Sequence, residues 1–312
     1  MSELPTVHTS VLLHDVIDGF ALSPEATVLD ATLGGGGHFL TLAEQLGSHG
    51  TMIGLDADPA ALARVEHLLA EHPPRPRVHL RQANFRSLEA VLDELALEHL
   101  DAALFDLGLS SDQLELSGRG FSLKRDEPLD MRFAGDRTEG SELTASLILN
   151  EWSEETLAEI LRGFGEERRA ARIARAIVAR RTERPFHDTS ELVSTVEEAV
   201  GPPRGRIHPA TKTFQALRIA VNDELGALSE GLAAAWEHLA VGGRIAVISF
   251  HSLEDRIVKR FFREQAHRRH ASLLTKRPLT PSREECLDNP RARSAKLRIA
   301  EKQTDHRTDP TP

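Results

Sequence analysis

The sequence predicts an α/β fold, an open, doubly wound parallel sheet interrupted by an all-helical insertion. Three observations carry this. Short apolar runs that close on Asp30, Asp56 and Asp106 alternate with helical periodicities through the first third of the chain. That is the pattern of βαβ units on a parallel sheet. The first run leads into four consecutive glycines, Gly34–Gly37, and then a helical pattern. From about Leu114 to Thr213 no strand pattern is found, and a buried strand returns only at Arg244–Phe250.

Val11, Leu12, Val16 and Ile17 predict a short opening helix, with His8 and Ser10 ahead of it as cap or pocket lining. Thr27–Leu33 is the first strand and Leu40–Leu46 the first helix, stopped by Gly47. Thr51–Asp56 is the second strand. Asp58 as N-cap and Pro59 in the first turn start a helix to about Glu71, each residue suited to its position. Val78–Asn84 alternates as a third strand, Phe85 stands at its carboxyl end, and Leu88, Val91, Leu92 and Leu95 have helical spacing. Asp101–Asp106 is nearly all apolar, as in a strand buried on both faces. Ligands on such sheets bind beyond the carboxyl ends of the strands. This gathers Gly34–His38, Asp56, Asn84–Phe85 and Asp106–Gln113 around one cleft.

In the insertion, Ser153 caps Glu154–Leu161, Ile173, Ile177 and Val178 mark one face of Glu166–Arg181, and Ser190 is expected to cap Glu191–Val200. The predicted organisation is a discontinuous domain, residues 1–113 plus 214–312, around a helical insertion of residues 114–213 that recognises substrate. After helical patterning over Lys212–Leu239, Val241–Gly243 reads as a turn, and Ser252 with Asp255 as a capping box. Residues 271–289 read as a loop, Lys296–Ala300 as a late edge strand, and the last ten residues as disordered.

With 312 residues, 40% hydrophobic and 28% charged, the composition is that of a soluble globular protein. No apolar run is long enough for a membrane span. The N-terminus has no basic region followed by an apolar core, so no secretory signal is expected. The single Cys286 excludes an intrachain disulfide and fits a reducing, cytoplasmic setting. The net charge of -10 argues against non-specific nucleic-acid binding, but basic residues cluster. Arg162–Arg184 is arginine-dense, although Glu166, Glu167 and Glu183 interleave and make a solvated helix face an equal reading. Gly201–Arg218 carries Arg204, Arg206, Lys212 and Arg218 without an acid. Arg256–Arg277 holds eight Lys or Arg against the single acid Glu264. A locally basic face sets the partner even on an acidic chain.

The glycine loop narrows the cofactor. The dinucleotide fingerprint G-x-G-x-x-G fails at its third glycine, which falls on Phe39 or Leu40, and that glycine lets the helix pack under a pyrophosphate. No G-K-[ST] follows, which excludes the phosphate loop of NTPases. What remains is Asp30 before the loop, the glycines, and Asp56 ending the second strand. S-adenosylmethionine suits this set. Its amino-acid part meets the loop, its ribose Asp56, and its adenine lies beside Phe85.

The blocks HTSVLL, DATLGGGGH, GLDAD, DLGLSSDQL, GRGFSLKRDEPLDMR, HPATKTFQALRIAVNDEL, GGRIAVISFHSLEDRIVKRFF and NPRARSAKLRIAE resemble, in order and over nearly the whole chain, the RsmH (MraW) family of bacterial methyltransferases. The resemblance implies a Rossmann-like S-adenosylmethionine-dependent methyltransferase sheet with an inserted helical domain. It implies methyl transfer to the exocyclic N4 amino group of a cytidine of 16S rRNA near the decoding centre, within the small ribosomal subunit. It implies no membrane partner and leaves a homodimer open. Cofactor contacts carry over to Gly36, Gly37, His38, Asp56, Phe85, Asp106 and Gln113. Phe133 and Leu123 depart from the family's usual Met and Phe.

Amine methylation needs an acceptor for the released proton, and Asp106 is the expected catalytic residue. Its alternative is a purely binding role toward the methionine amino group or ribose. His38 reads as a hydrogen-bond partner. The D/N-P-P-Y/F motif of many amino methyltransferases is replaced by DLGLSS, and the chain has no tyrosine. Phe121, Trp152 and Phe250 are then the aromatic candidates for stacking on the base. Arg119, Lys124, Arg125, Arg132 and Arg218 are the expected RNA contacts, with Lys259 and Arg260 behind them. His251, Glu254 and Asp255 mimic a metal cluster but read as helix capping, so no metal is expected. A nicotinamide-dependent oxidoreductase and a non-catalytic ribosome assembly factor are the alternatives.

Overall fold

The computed structural model describes residues 10–134, 143–203, 205 and 208–304. His8, Arg204, Arg206 and the end of the chain from residue 305 lie outside them. The chain divides into two compact units, Met1–Ser110 with Leu225–Pro312, and Ser111–Glu224.

The first unit opens with α1 (Leu13–Phe20), β1 (Thr27–Asp30), α2 (Gly37–Gln45), β2 (Thr51–Asp56), α3 (Pro59–Glu71), β3 (Arg77–Gln82), α4 (Leu88–Glu94) and β4 (Leu100–Asp106). The second unit carries α5 (Ser111–Glu115), α6 (Ala145–Glu151), α7 (Glu154–Gly163), α8 (Ala170–Arg181), α9 (Thr189–Val200) and α10 (Thr211–Asn222). The chain then continues through α11 (Glu224–His238), β5 (Leu239–Ser249), α12 (Ser252–His267), β6 (Ala271–Leu273), α13 (Arg283–Asp288) and β7 (Lys296–Lys302).

The sheet order is β3-β2-β1-β4-β5-β7-β6. The first five strands are parallel, and β7 runs antiparallel to both β5 and β6. The order reverses between β1 and β4. That switch point opens a crevice beyond the strand ends, where doubly wound sheets bind ligands. Asp30, Asp56 and Asp106 each end a strand at that edge.

The inner strands are apolar without alternation because both faces are covered. Val28 packs with Phe39, Leu42, Met52 and Leu104 on one side. Its neighbour Leu29 packs with Ile53, Leu92, Phe105, Leu228 and Trp236 on the other. Each such fully buried side chain contributes about 1.5–3 kcal/mol. This two-sided core fixes the strand ends, and with them the acids.

Several local expectations are corrected. β1 stops at Asp30 because the backbone then leaves the sheet, and α2 begins earlier, at Gly37. The expected turn at Val241–Gly243 lies inside β5. There, residues 240–243 stand opposite the single Asp101, a bulge that Gly242 accommodates at φ 83°. The expected loop over 271–289 contains β6 and α13, elements too short for periodicity to reveal. β7 is not an edge strand, since β6 covers it. The capping box of α12 is His251 with Glu254, one residue before the expected Ser252 and Asp255. Asp255 instead pairs with Arg298 at 2.8 Å and Lys296 at 3.4 Å. The capping box of α9 is likewise Asp188 with Glu191, not Ser190. No helix among the described residues is long and apolar enough to cross a membrane.

Candidate active site

The loop after β1 is shaped by its neighbours. Ala31 N–H donates to the Leu104 carbonyl and Leu33 N–H to the Leu55 carbonyl, so the chain is pinned to β4 and then to β2 as it leaves the sheet. Gly36, at φ 84°, turns it into α2. A Cβ at Gly36 would lie 2.9 Å from Val65, and one at Gly37 only 2.1 Å from the Ser10 hydroxyl. Glycine suits the Gly36 dihedral, and a side chain at Gly37 would have to turn the Ser10 hydroxyl aside. Asp56 holds the loop from the side. Its carboxylate accepts the N–H groups of Gly34 and Asp58, both at 2.9 Å. Arg64 donates to the Gly34 carbonyl at 3.1 Å.

Behind the loop sit two carboxylates and one imidazole. Asp30 is 0% exposed and His38 4%. Thr32 ties β1 to β4: its N–H donates to Asp30 Oδ1 at 3.1 Å, and its hydroxyl oxygen accepts the Asp106 N–H at 2.7 Å. His38 Nε2 faces the Val11 carbonyl at 3.1 Å, and Nδ1 faces Asp106 Oδ2 at 3.4 Å. A carbonyl and a carboxylate only accept, so both ring nitrogens must carry a proton to serve both. Burial alone would lower the His38 pKa, but the hydrogen bond and charge of Asp106, the charge of Asp30 and the Val11 carbonyl together hold it above its ordinary value. Burial pushes Asp30 up to about 7 despite the opposing pull of His38. Asp30 Oδ2 and Asp106 Oδ1 are buried and have no hydrogen-bond partner among the described residues.

The other anticipated residues are placed as follows. Phe85 lies in a short 3₁₀ turn after β3, its ring edge-on to Phe105 at 5.6 Å and against Gly231. Phe250 packs beside Gly108, in the DLGLSS segment that follows Asp106. His251 and Glu254 are engaged with one another. The Glu254 carboxylate accepts the Phe250 and His251 N–H groups, and its oxygen Oε1 lies 3.0 Å from His251 Nε2.

In the second unit, Gln113 stands on α5. Phe121 is buried with its ring 5.8 Å from that of Phe133, and Trp152 follows α6 half-buried. Arg119 donates to the Arg132 and Phe133 carbonyls. Arg132 grips Asp130 with two 2.7 Å bonds, and Arg218 grips Glu224 at 2.7 and 2.8 Å. Lys124 and Arg125 are exposed. No motif marks Thr32, and Ser10, expected as cap or pocket lining, has its hydroxyl close against Gly37.

The arrangement suits a ligand with cationic or N–H groups near Asp30 and Asp106, a diol at Asp56 and no phosphate. S-adenosylmethionine has these parts, and the two orphaned carboxylate oxygens are the observation that fits it. Residues 5–303 match the family model described as the MraW methylase family. The chain belongs to the MraW methylase family. S-adenosylmethionine is the cofactor that accompanies that membership. Its sequence is 51% identical to the ribosomal RNA small subunit methyltransferase H of Heliobacterium modesticaldum, over 95% of this chain and 98% of that one. It is 47% identical to the protein of the same name from Thermomicrobium roseum, over 96% and 94%. A crystal structure of an rRNA methylase from Streptococcus thermophilus superposes with a TM-score of 0.47 at 14% identity, covering 95% of this chain and 98% of that one. Family membership rests on the sequence match.

Proposed function

We propose that this methylase transfers the methyl group of S-adenosylmethionine to the exocyclic N4 amino group of a cytidine in small-subunit rRNA, near the decoding centre. The observation that carries the chemistry is the unpartnered Asp106 Oδ1, buried at the end of β4 while Oδ2 faces His38. The relatives' name, ribosomal RNA small subunit methyltransferase H, supports the substrate. The N4 position rests on the family resemblance.

The bound cofactor supplies an electrophilic methyl group on a sulfonium. The protein's own work is to place and polarise the amine, whose lone pair is delocalised into the ring. Asp106 Oδ1 accepts an N–H of the amine, which raises nitrogen electron density, and receives the proton released after transfer. His38 fixes the other carboxylate oxygen, so Asp106 keeps one orientation. Asp56 and Gly36–His38 would hold the ribose and the amino-acid part, and Phe85 the adenine. We take Phe250, adjacent to Gly108, as the aromatic that stacks on an extruded base. Among the RNA contacts, Lys124 and Arg125 carry most of the expectation, because Arg119, Arg132 and Arg218 already hold carbonyls or carboxylates.

Mass spectrometry of small-subunit rRNA from a strain lacking the protein tests this. The methylated cytidine disappears and returns on complementation with the wild type but not with Asp106→Ala. An unchanged methylated cytidine overturns the substrate assignment.

A further inference from the structure

Helix α12 carries a basic stripe. Arg256, Lys259, Arg260, Arg263 and His267 recur at spacings of three and four within Ser252–His267, which places them on one face of a helix. Arg256, Arg260, Arg263 and His267 are exposed and Lys259 is half-exposed. The opposite face, with Val258 and Phe262, is buried in the core beside the sheet. No carboxylate lies on the stripe. Asp255 is engaged by Arg298 and Lys296, and Glu264 is paired with Arg268 at 2.5 Å on the flank. Lys259, Arg260 and Arg263 make no ion pair or hydrogen bond among the described residues.

The stripe also has a direction. β5 runs parallel to β4, and α12 starts three residues after β5 ends. The helix therefore begins at the sheet edge that bears Asp106 and leads away from it. From Arg256 to His267 it spans roughly 16 Å. Lys259, Arg260 and Arg263, cationic, exposed or half-exposed and laid in a line, suit the regularly spaced phosphates of a nucleic-acid strand.

We propose that this face of α12 is a binding track for the sugar–phosphate backbone of the RNA flanking the target nucleotide. The proposal rests on the rRNA reading above and names a surface for it in the first unit. The track reads charge and not sequence, so it sets affinity while leaving the transfer step unchanged.

The test uses the full-length enzyme carrying Arg260→Glu/Arg263→Glu, with Arg260→Gln/Arg263→Gln as the milder pair and a thermal melt to verify folding. Binding to naked small-subunit rRNA is measured by anisotropy across a salt series, and methyl transfer on small subunits from a strain lacking the enzyme. The expected result is at least a tenfold weaker rRNA affinity for the Glu pair and a smaller loss for the Gln pair. The log–log salt slope becomes shallower by about 1.4, two lost charges at about 0.7 each. KM for the RNA substrate rises, while kcat at saturation and S-adenosylmethionine affinity hold. Unchanged affinity and slope overturn the proposal. So does weakened action on small subunits with naked-rRNA binding intact, which marks a contact with protein. A wild type that binds rRNA through α12 but transfers no methyl group refutes the functional reading and leaves the track standing.

Discussion

Asp30→Asn isolates the charge held behind the glycine loop. Asp30 is fully buried and its pKa rises from 3.8 to about 7. In the unfolded chain the carboxyl is already ionised above about pH 5, whereas in the folded protein it keeps its proton to about pH 7. The folded state therefore binds more protons in that window, and stability falls as pH rises through it, at up to about 1.4 kcal/mol per pH unit. Above the folded value the loss is complete, about 4 kcal/mol in the limit of a three-unit shift. Asparagine keeps the acceptor for the Thr32 N–H but cannot ionise. Urea unfolding at pH 5.5, 6.5, 7.5 and 8.5 checks this. The stability of Asp30→Asn relative to wild type is expected to rise by about 2 kcal/mol between pH 5.5 and 7.5 and then level off. A fixed offset, from a buried amide in place of the carboxyl, shifts the curve without changing its slope. Parallel pH profiles for the two proteins would show that Asp30 is already ionised and refute the argument.

Other perturbations probe the same site and its frame. Gly37→Ala places a methyl group 2.1 Å from the Ser10 hydroxyl, and calorimetry is expected to give at least tenfold weaker S-adenosylmethionine binding, partly recovered by Ser10→Gly in the double variant. His38 has a raised pKa, so its contribution is present at low pH and lost as pH rises through that value. The wild-type kcat is expected to fall on this alkaline limb as Nδ1 loses the proton it offers Asp106. His38→Gln, which does not titrate, is expected to lack the limb. Asp255→Ala leaves Arg298, 9% exposed, without its carboxylate, at about 3 kcal/mol in denaturant unfolding. Because Arg298 and Lys296 hold the Asp255 pKa down, that contribution disappears in the wild type as pH falls below the ordinary carboxylate range.

The parts of the fold legible in sequence were those with a strong local signal. β2 could be read to the residue because Thr51–Asp56 is apolar up to its closing acid, and α3 because Asp58 and Pro59 announce its start. Asp58 indeed accepts the Ala60 N–H. The misses came where tertiary context decides. Val241-Gly242-Gly243 reads as a turn, yet a bulge opposite Asp101 lets β5 run through it. Ser252 reads as a cap, but His251 offers Nδ1 to the same N–H set because Glu254 reaches back to it. For the site, the motif named the glycines and the acids, but not their protonation. That follows only from which atom faces which, as with both His38 nitrogens meeting acceptors.

The same atoms decide between the two nucleotide cofactors a doubly wound sheet offers. In a dinucleotide site the pyrophosphate lies against the first helix N-terminus, where N–H groups and the dipole favour an anion. Here the first turn of α2 carries His38, flanked by Asp30 and Asp106, each with an orphaned oxygen. A pyrophosphate would bring its anionic oxygens against the acceptor oxygens of a largely buried Asp106, where charges are screened least. A ligand with an ammonium and a sulfonium meets acceptors instead. Calorimetry is therefore expected to show S-adenosylmethionine binding and no NAD binding. Asp106→Asn, by removing the charge nearest the imidazole, is expected to weaken S-adenosylmethionine by tenfold or more without admitting NAD. NAD binding to the wild type would mean that Asp106 does not face the ligand, and the assignment of the loop would fall with it.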